Sequence, residues 1–179
     1  MTQVGLEEVL EDANQHVKKE LQSKPDVVPV GDDLDLADLA VSARRWAQVD
    51  EIVAIVADMK DSTKLGTGKH AASTASIYEA AVASVVDILV EFEADDIDIQ
   101  GDCAIGVFWG ERRMERAFCA GVTIKTFSQR HLEPQLEAKW DKAPKTGFKL
   151  GMAASRVLVK RVGVPGKTEY QEEAGSGGP

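Results

Sequence analysis

Residues 95–110, DDIDIQGDCAIGVFWG, alternate in character on both sides of Gly101-Asp102. Only a strand turns successive side chains to opposite faces, so two such runs about a glycine-containing pair specify an antiparallel hairpin with a tight turn. Two helical patterns flank it. Before it, Ile77, Ala81, Val85, Ile88 and Phe92 recur at spacings of 4, 4, 3 and 4, with Ser73 or Thr74 available as cap. After it, Met114, Ala117, Gly121, Ile124 and Ser128 share one face, with Phe118 beside them. Glu51–Ala57 is an apolar run with little alternation, as a central strand requires. FKLGMAASRVLVKRVG, from Phe148, resumes strand character. The order is strand, helix, strand, strand, helix, strand. This is the ferredoxin-like βαββαβ pattern, an α+β fold with an antiparallel sheet and helices on one face.

The segments outside that pattern are read as appendages. Leu6, Leu10, Ala13, Val17 and Leu21 recur at spacings of 4, 3, 4 and 4, an amphipathic helix that ends by Ser23 to Pro25. DDLDLADLAVSARRW suggests a second short helix capped by Asp33 or Asp35. The expected organisation is a helical arm over 1–50, a catalytic-type domain over 51–171 and a flexible tail over 172–179. LEPQLEAKWDKAPKTG, with two prolines and alternating charges, reads as an exposed loop, and Pro165-Gly166 as a turn. Met114, Phe118 and Phe127 read as packing residues.

Composition narrows the function. Net charge is −9, from 21 Lys and Arg against 30 Asp and Glu. That balance gives no support to nucleic-acid or membrane-surface binding, which need basic patches. Cys103 and Cys119 stand in no CxxC or Cys/His spacing, so they read as small buried residues in a reducing compartment. The three histidines, His16, His70 and His131, are scattered without ligand spacing. The first residues lack the basic and apolar regions of a signal peptide, and no apolar run approaches the roughly 18 residues of a membrane span. A cytoplasmic location is expected.

The carboxylates carry the chemistry. In a βαββαβ sheet the first and third strands are antiparallel neighbours, so Asp58, at the end of the first, lies beside Asp102, at the start of the third. Two adjacent carboxylates with no cation in either motif repel each other unless a metal joins them. Mg²⁺ binds through one or two carboxylates plus substrate phosphates, and paired ions stabilise the attacking and leaving oxygens of an in-line displacement. Lys60 to Thr63, just before a helix, offers backbone N–H groups to a polyphosphate. The implied class is phosphoryl or nucleotidyl transfer.

Together VADMKDST and DIDIQGDCAIGVFWG resemble the catalytic half of the class III nucleotide cyclases, over roughly Ile52 to Tyr170. The resemblance implies that Asp58 and Asp102 bind two Mg²⁺ or Mn²⁺ ions, with the Met59 carbonyl as a further ligand. Asp61, Ser62 and Thr63 would line the triphosphate of a nucleoside triphosphate substrate. The ribose 3′-hydroxyl would attack the α-phosphate and release pyrophosphate, in a homodimer with composite active sites. Asp98 departs from the family, whose adenylyl members place Lys there and guanylyl members Glu. A carboxylate accepts hydrogen bonds, so Asp98 suits guanine N1–H or uracil N3–H and faces adenine N1 or cytosine N3 poorly. ADMKDSTKL and IDIQGDCA read more like the pyrimidine cyclases of bacterial anti-phage systems, so UTP is favoured and GTP is the alternative. The family's Asn-x-x-x-Arg element, expected soon after Tyr170, does not occur before Pro179. A third reading is therefore a truncated or inactive cyclase-like interaction domain. A diguanylate cyclase is disfavoured, because its Gly-Gly-Asp/Glu-Glu-Phe hairpin is replaced here by QGDCAI.

Overall fold

A computed structural model describes residues 5–32, 34–39, 44–65, 67, 70–140 and 146–161. In chain order the elements are α1 (Leu6–Leu21), β1 (Asp26–Gly31), a 3₁₀ turn (Leu36–Asp38), β2 (Arg45–Met59), α2 (Ser62–Leu65), α3 (Ala71–Glu91), β3 (Asp96–Gln100), β4 (Cys103–Phe108), α4 (Arg113–Phe127), a π turn (Ser128–Leu132), α5 (Glu133–Lys139) and β5 (Phe148–Val159). The sheet runs β1-β2-β4-β3, and β5 also pairs with β2. The strands of the expected βαββαβ unit thus stand in the order β5-β2-β4-β3, the ferredoxin-like arrangement.

The chain divides into two compact units. One comprises Met1–Pro29, Asp35–Gln48 and Leu158–Pro179. Its helix α1 buries no residue. Arg44 ties the end of that helix down, its Nη2 donating to the carbonyls of Glu20 and Ser23 at 2.6 Å each. The arm is not all helix, because β1 and the first residues of β2 fall within it. Among the described residues of the second expected helix, Leu36–Asp38 form a 3₁₀ turn, where Asp35 Oδ1 accepts from Ala37 N at 2.8 Å. Residues 40–43 lie outside the described residues, as do Pro165-Gly166, Tyr170 and the tail.

The other unit comprises Val30–Leu34 and Val49–Val157 and holds the main core. Along β2 the burial alternates, with Val53, Ile55, Ala57 and Met59 all at 2% exposure or less. These side chains pack with Ile77, Ala81, Val85 and Leu89 of α3 and Ala117, Ala120 and Ile124 of α4. Each large member contributes about 1.5–3 kcal/mol by leaving water. Gly106 and Gly121 let the helices sit close to the sheet. A Cβ at Gly106 would lie 2.6 Å from Leu89 Cδ2, and one at Gly121 2.9 Å from Ile55 Cδ1. By length and composition α3 could cross a membrane, yet its Ile77, Ala81, Val82, Val85 and Leu89 are buried, as in the core helix of a globular domain.

Several sequence expectations shift. The first strand begins at Arg45, six residues earlier than its apolar run, and ends at Met59. Ser73 and Thr74 lie inside α3, and His70 occupies the cap position without a side-chain bond. Within the expected loop Glu133–Lys139 is helical, with Pro134 in the first turn of α5, where its missing N–H is no loss, and residues 141–145 lie outside the described residues. Leu132 and Leu136, four apart, are buried beneath it. Phe118 is 60% exposed and Met114 43%, so neither packs, whereas Phe127 does. Cys119 is exposed and Cys103 half-buried, against the expectation of burial for both.

Candidate active site

The β2–β4 ladder aligns Asp58 with Cys103, Ala57 with Ala104 and Val56 with Ile105. Asp102 immediately precedes Cys103, so the two carboxylates expected to meet do lie at the same end of adjacent strands. Gly101, at φ +66°, takes the left-handed conformation that the turn before Asp102 requires. The β3–β4 ladder then aligns Gln100 with Cys103 and Asp98 with Ile105. Opposed residues of a ladder share a face. One row therefore reads Asp58, Cys103, Gln100, and the next Val56, Ile105, Asp98.

That face is the open one. Asp58 alternates with the buried Ala57 and Met59 and points away from the helices; Asp58, Asp98 and Gln100 are all exposed. The Cys103 thiol registers the convergence of charge. Burial first, then the carboxylates of Asp58, Asp102 and Asp98, push its pKa up. Gln100 Nε2 donates to Asp98 Oδ2 at 2.7 Å and orients that carboxylate. Neither Asp58 nor Asp102 is in an ion pair among the described residues.

The segment after Asp58 is braced from behind. Met59 buries its side chain in the core, at 2% exposure. Lys60 N donates to Gly147 O at 2.8 Å, and Thr146 Oγ1 donates to Lys60 O at 2.6 Å. Asp61 adopts φ +55° and accepts from Lys64 Nζ at 2.8 Å; that bond and charge pull its carboxyl below the usual carboxylate range. Asp61 is thus engaged in an ion pair. Ser62 opens α2, and its carbonyl accepts from Tyr78 Oη at 3.0 Å. Thr63 is exposed.

Ser128, fully buried, closes the brace. Its hydroxyl donates to Glu133 Oε1 at 3.1 Å and accepts from Phe148 N at 3.0 Å. Gly147 is the residue in between, and a Cβ there would run into Glu133 Oε1 and Ser128 Oγ. Sequence reasoning missed Gln100, Ser128, Thr146 and Gly147. Only Gln100 was findable, since it stands two residues from Asp98 on the same strand.

Among the described residues no group of three or more His, Cys, Asp or Glu is arranged to hold a metal. The donor set that does fit is the pair Asp58 and Asp102, two hard oxygen ligands without a cation, which suits Mg²⁺ completed by substrate phosphates. A cavity of about 670 Å³ lies elsewhere, lined by Leu34, Phe92, Trp109 and Arg116 among others, and includes none of these residues.

No protein-family model matches the chain. It is 54% identical over 177 residues to a Micromonospora echinofusca protein named uridylate cyclase, covering 99% of this chain and 58% of that protein. A Propioniciclava tarda protein of the same name is 50% identical over 139 residues, covering 77% of this chain and 45% of the relative. The chain thus spans about half the length of the curated relatives it matches. Among solved structures, a class III adenylyl cyclase-like ATP-binding protein from Pseudomonas aeruginosa superposes with a TM-score of 0.65, at 16% identity, over 91% of this chain and 37% of that one. The adenylyl cyclase CyaB from P. aeruginosa gives 0.59 at 15% identity, over 65% of this chain and 61% of its own. The fold is that of the class III nucleotide cyclase domains.

Proposed function

We propose that this chain carries the metal-binding half of a nucleotide cyclase that converts a nucleoside triphosphate, UTP in preference, to its 3′,5′-cyclic monophosphate and pyrophosphate. The observation that supports the reading is the ladder register of Asp58, on the open face, with Cys103, which leaves Asp58 and Asp102 at the same end of two adjacent strands. The base preference is supported by the relatives named uridylate cyclase and by Asp98 on the same face.

In this reading Asp58 and Asp102, with the Met59 carbonyl, hold two Mg²⁺ or Mn²⁺ ions. Such ions lower the pKa of the 3′-hydroxyl and spread the charge that develops on the phosphoryl oxygens. Ser62 and Thr63 meet the triphosphate through backbone N–H or hydroxyl groups, and Asp61 fixes the turn through Lys64. Asp98, oriented by Gln100, accepts the uracil N3–H. Two copies complete each other's sites. The role in bacterial anti-phage signalling rests on the sequence resemblance alone.

The test is to incubate the purified chain with Mn²⁺ and each of ATP, GTP, CTP and UTP, and to identify products by mass spectrometry. A cyclic UMP product, lost in Asp58→Ala and in Asp102→Ala while far-UV circular dichroism is unchanged, is the expected result. Turnover that survives in either variant would refute the metal assignment. No product, with Mn²⁺-dependent UTP binding retained and lost in Asp58→Ala, would mean a cyclase half-site lacking its transition-state element, and neither product nor binding would leave the interaction-domain reading standing.

A further inference from the structure

Asp98 by itself does not choose between uracil and guanine, since each base offers it a ring N–H. Its neighbour on the strand does. Asp98 and Gln100 stand two apart on β3, so their side chains leave the same face of the sheet, and both are exposed there. Gln100 Nε2 donates to Asp98 Oδ2 at 2.7 Å. A primary amide carries two N–H donors, and a carboxylate two acceptor oxygens. The pair therefore offers a ligand Asp98 Oδ1 as acceptor and, on the Oδ2 side, the second Gln100 N–H as donor. In the ladders Gln100 faces Cys103, which faces Asp58. Two strand spacings, about 10 Å, separate Gln100 from Asp58, room for a nucleoside with its base at one and its phosphate at the other.

A carboxylate alone suits guanine, whose adjacent N1–H and N2–H₂ groups meet its two oxygens. Against uracil its second oxygen would face a carbonyl, O2 or O4, acceptor opposing acceptor. Gln100 reverses both relations. Its N–H donates to the uracil carbonyl, and it opposes the guanine amine, donor against donor. A polar group left mismatched discriminates more strongly than a contact merely lost.

We infer that Gln100 sets uracil over guanine in this site, by donating to the uracil carbonyl beside the N3–H that Asp98 accepts. The inference rests on the nucleotide cyclase reading and narrows its substrate.

Isothermal titration calorimetry with Mn²⁺ and the α,β-methylene analogues of UTP and GTP, which cannot release pyrophosphate, tests it. The parent chain should bind the UTP analogue more tightly. Gln100→Leu, on an exposed position, should leave the far-UV spectrum unchanged and lower the UTP-to-GTP affinity ratio roughly tenfold. Gln100→Lys, which restores a donor, should return much of that ratio. Were Gln100 only a support for Asp98, Gln100→Leu would weaken both analogues equally; that result would overturn the inference. So would an unchanged ratio, or a parent chain that prefers the GTP analogue. Each of these, with Mn²⁺-dependent binding still lost in Asp58→Ala, would leave the cyclase reading intact. Binding of neither analogue would remove that reading and the inference together.

Discussion

Removing one buried hydroxyl should unsettle the turn that follows Asp58. In Ser128→Ala the Phe148 amide, in a residue 1% exposed, loses its acceptor, and Glu133 loses a donor. An unsatisfied buried amide costs about 1–3 kcal/mol. The bond to Glu133 adds about 1 kcal/mol, since that carboxylate is only half-buried and water can replace the donor. The space left is one oxygen wide, too small to admit a water in compensation. The expected loss is about 2–4 kcal/mol, a large share of the ~5–15 kcal/mol typical of a domain. Urea unfolding followed by far-UV circular dichroism should show the midpoint falling by about 1–2 M, given a slope of about 2 kcal/mol/M. Thr126→Ala is the control: its hydroxyl bonds only the Val122 carbonyl one turn back, and its removal should shift stability by less than about 0.5 kcal/mol. Equal midpoints for the two variants would refute the reasoning. Because Gly147 links Phe148 to Lys60, Mn²⁺-dependent nucleotide binding should weaken in Ser128→Ala as well.

Three further outcomes follow from the site. Asp98→Asn replaces an acceptor-only group by one that also donates, so kcat/KM for UTP relative to CTP should fall roughly 10- to 150-fold, the worth of one charged hydrogen bond of about 1.5–3 kcal/mol; an unchanged ratio would remove Asp98 from base recognition. Lys64→Met should let the Asp61 carboxyl rise toward its ordinary range, read by NMR titration. In the parent chain that depressed pKa means the Asp61–Lys64 contribution is present above the unfolded carboxylate pKa and lost as pH falls through the folded one; an identical Asp61 titration in the variant would contradict it. Cys103, its thiol pKa raised by burial and three carboxylates, should alkylate with iodoacetamide more slowly at pH 8 than the exposed Cys119, as mass spectrometry of the labelled peptides would show. Equal rates would mean that the carboxylates do not converge on Cys103.

The parts of this molecule legible in its sequence are those where one periodicity acts alone. The alternation over 95–110 gave the hairpin, and with the apolar run of β2 it gave the topology that brings Asp58 to Asp102. β1 was hidden because Pro29 interrupts its valines, and proline within a run argues against a strand. The start of β2, with Arg45 and Gln48 among its residues, offers no apolar run until tertiary pairing supplies the reason for extension. α5 was misread because Pro134 and the charges around it outweighed the spacing of Leu132 and Leu136. The brace of Ser128, Thr146 and Gly147 joins residues distant in sequence through single hydrogen bonds, and no local pattern encodes such contacts. Asp98 and the turn from Asp61 to Thr63 were legible as candidates; that Gln100 holds Asp98 and Lys64 holds Asp61 emerged only from the fold.

The alternation of β2 also makes the placement of Asp58 hard to lose. A slip of one residue along the β2–β4 ladder would turn Asp58 under α3 and α4 and bring Val53, Ile55, Ala57 and Met59 to the open face. Such a slip would strand a carboxylate in the core and expose four apolar side chains at once, so few errors in folding could leave the pair misaligned yet the domain intact. Sequence drift is filtered in the same way. A single-residue insertion within β2 would be removed by loss of the fold before any loss of chemistry. The apolar residues that never touch a substrate are therefore the ones that keep the two aspartates together.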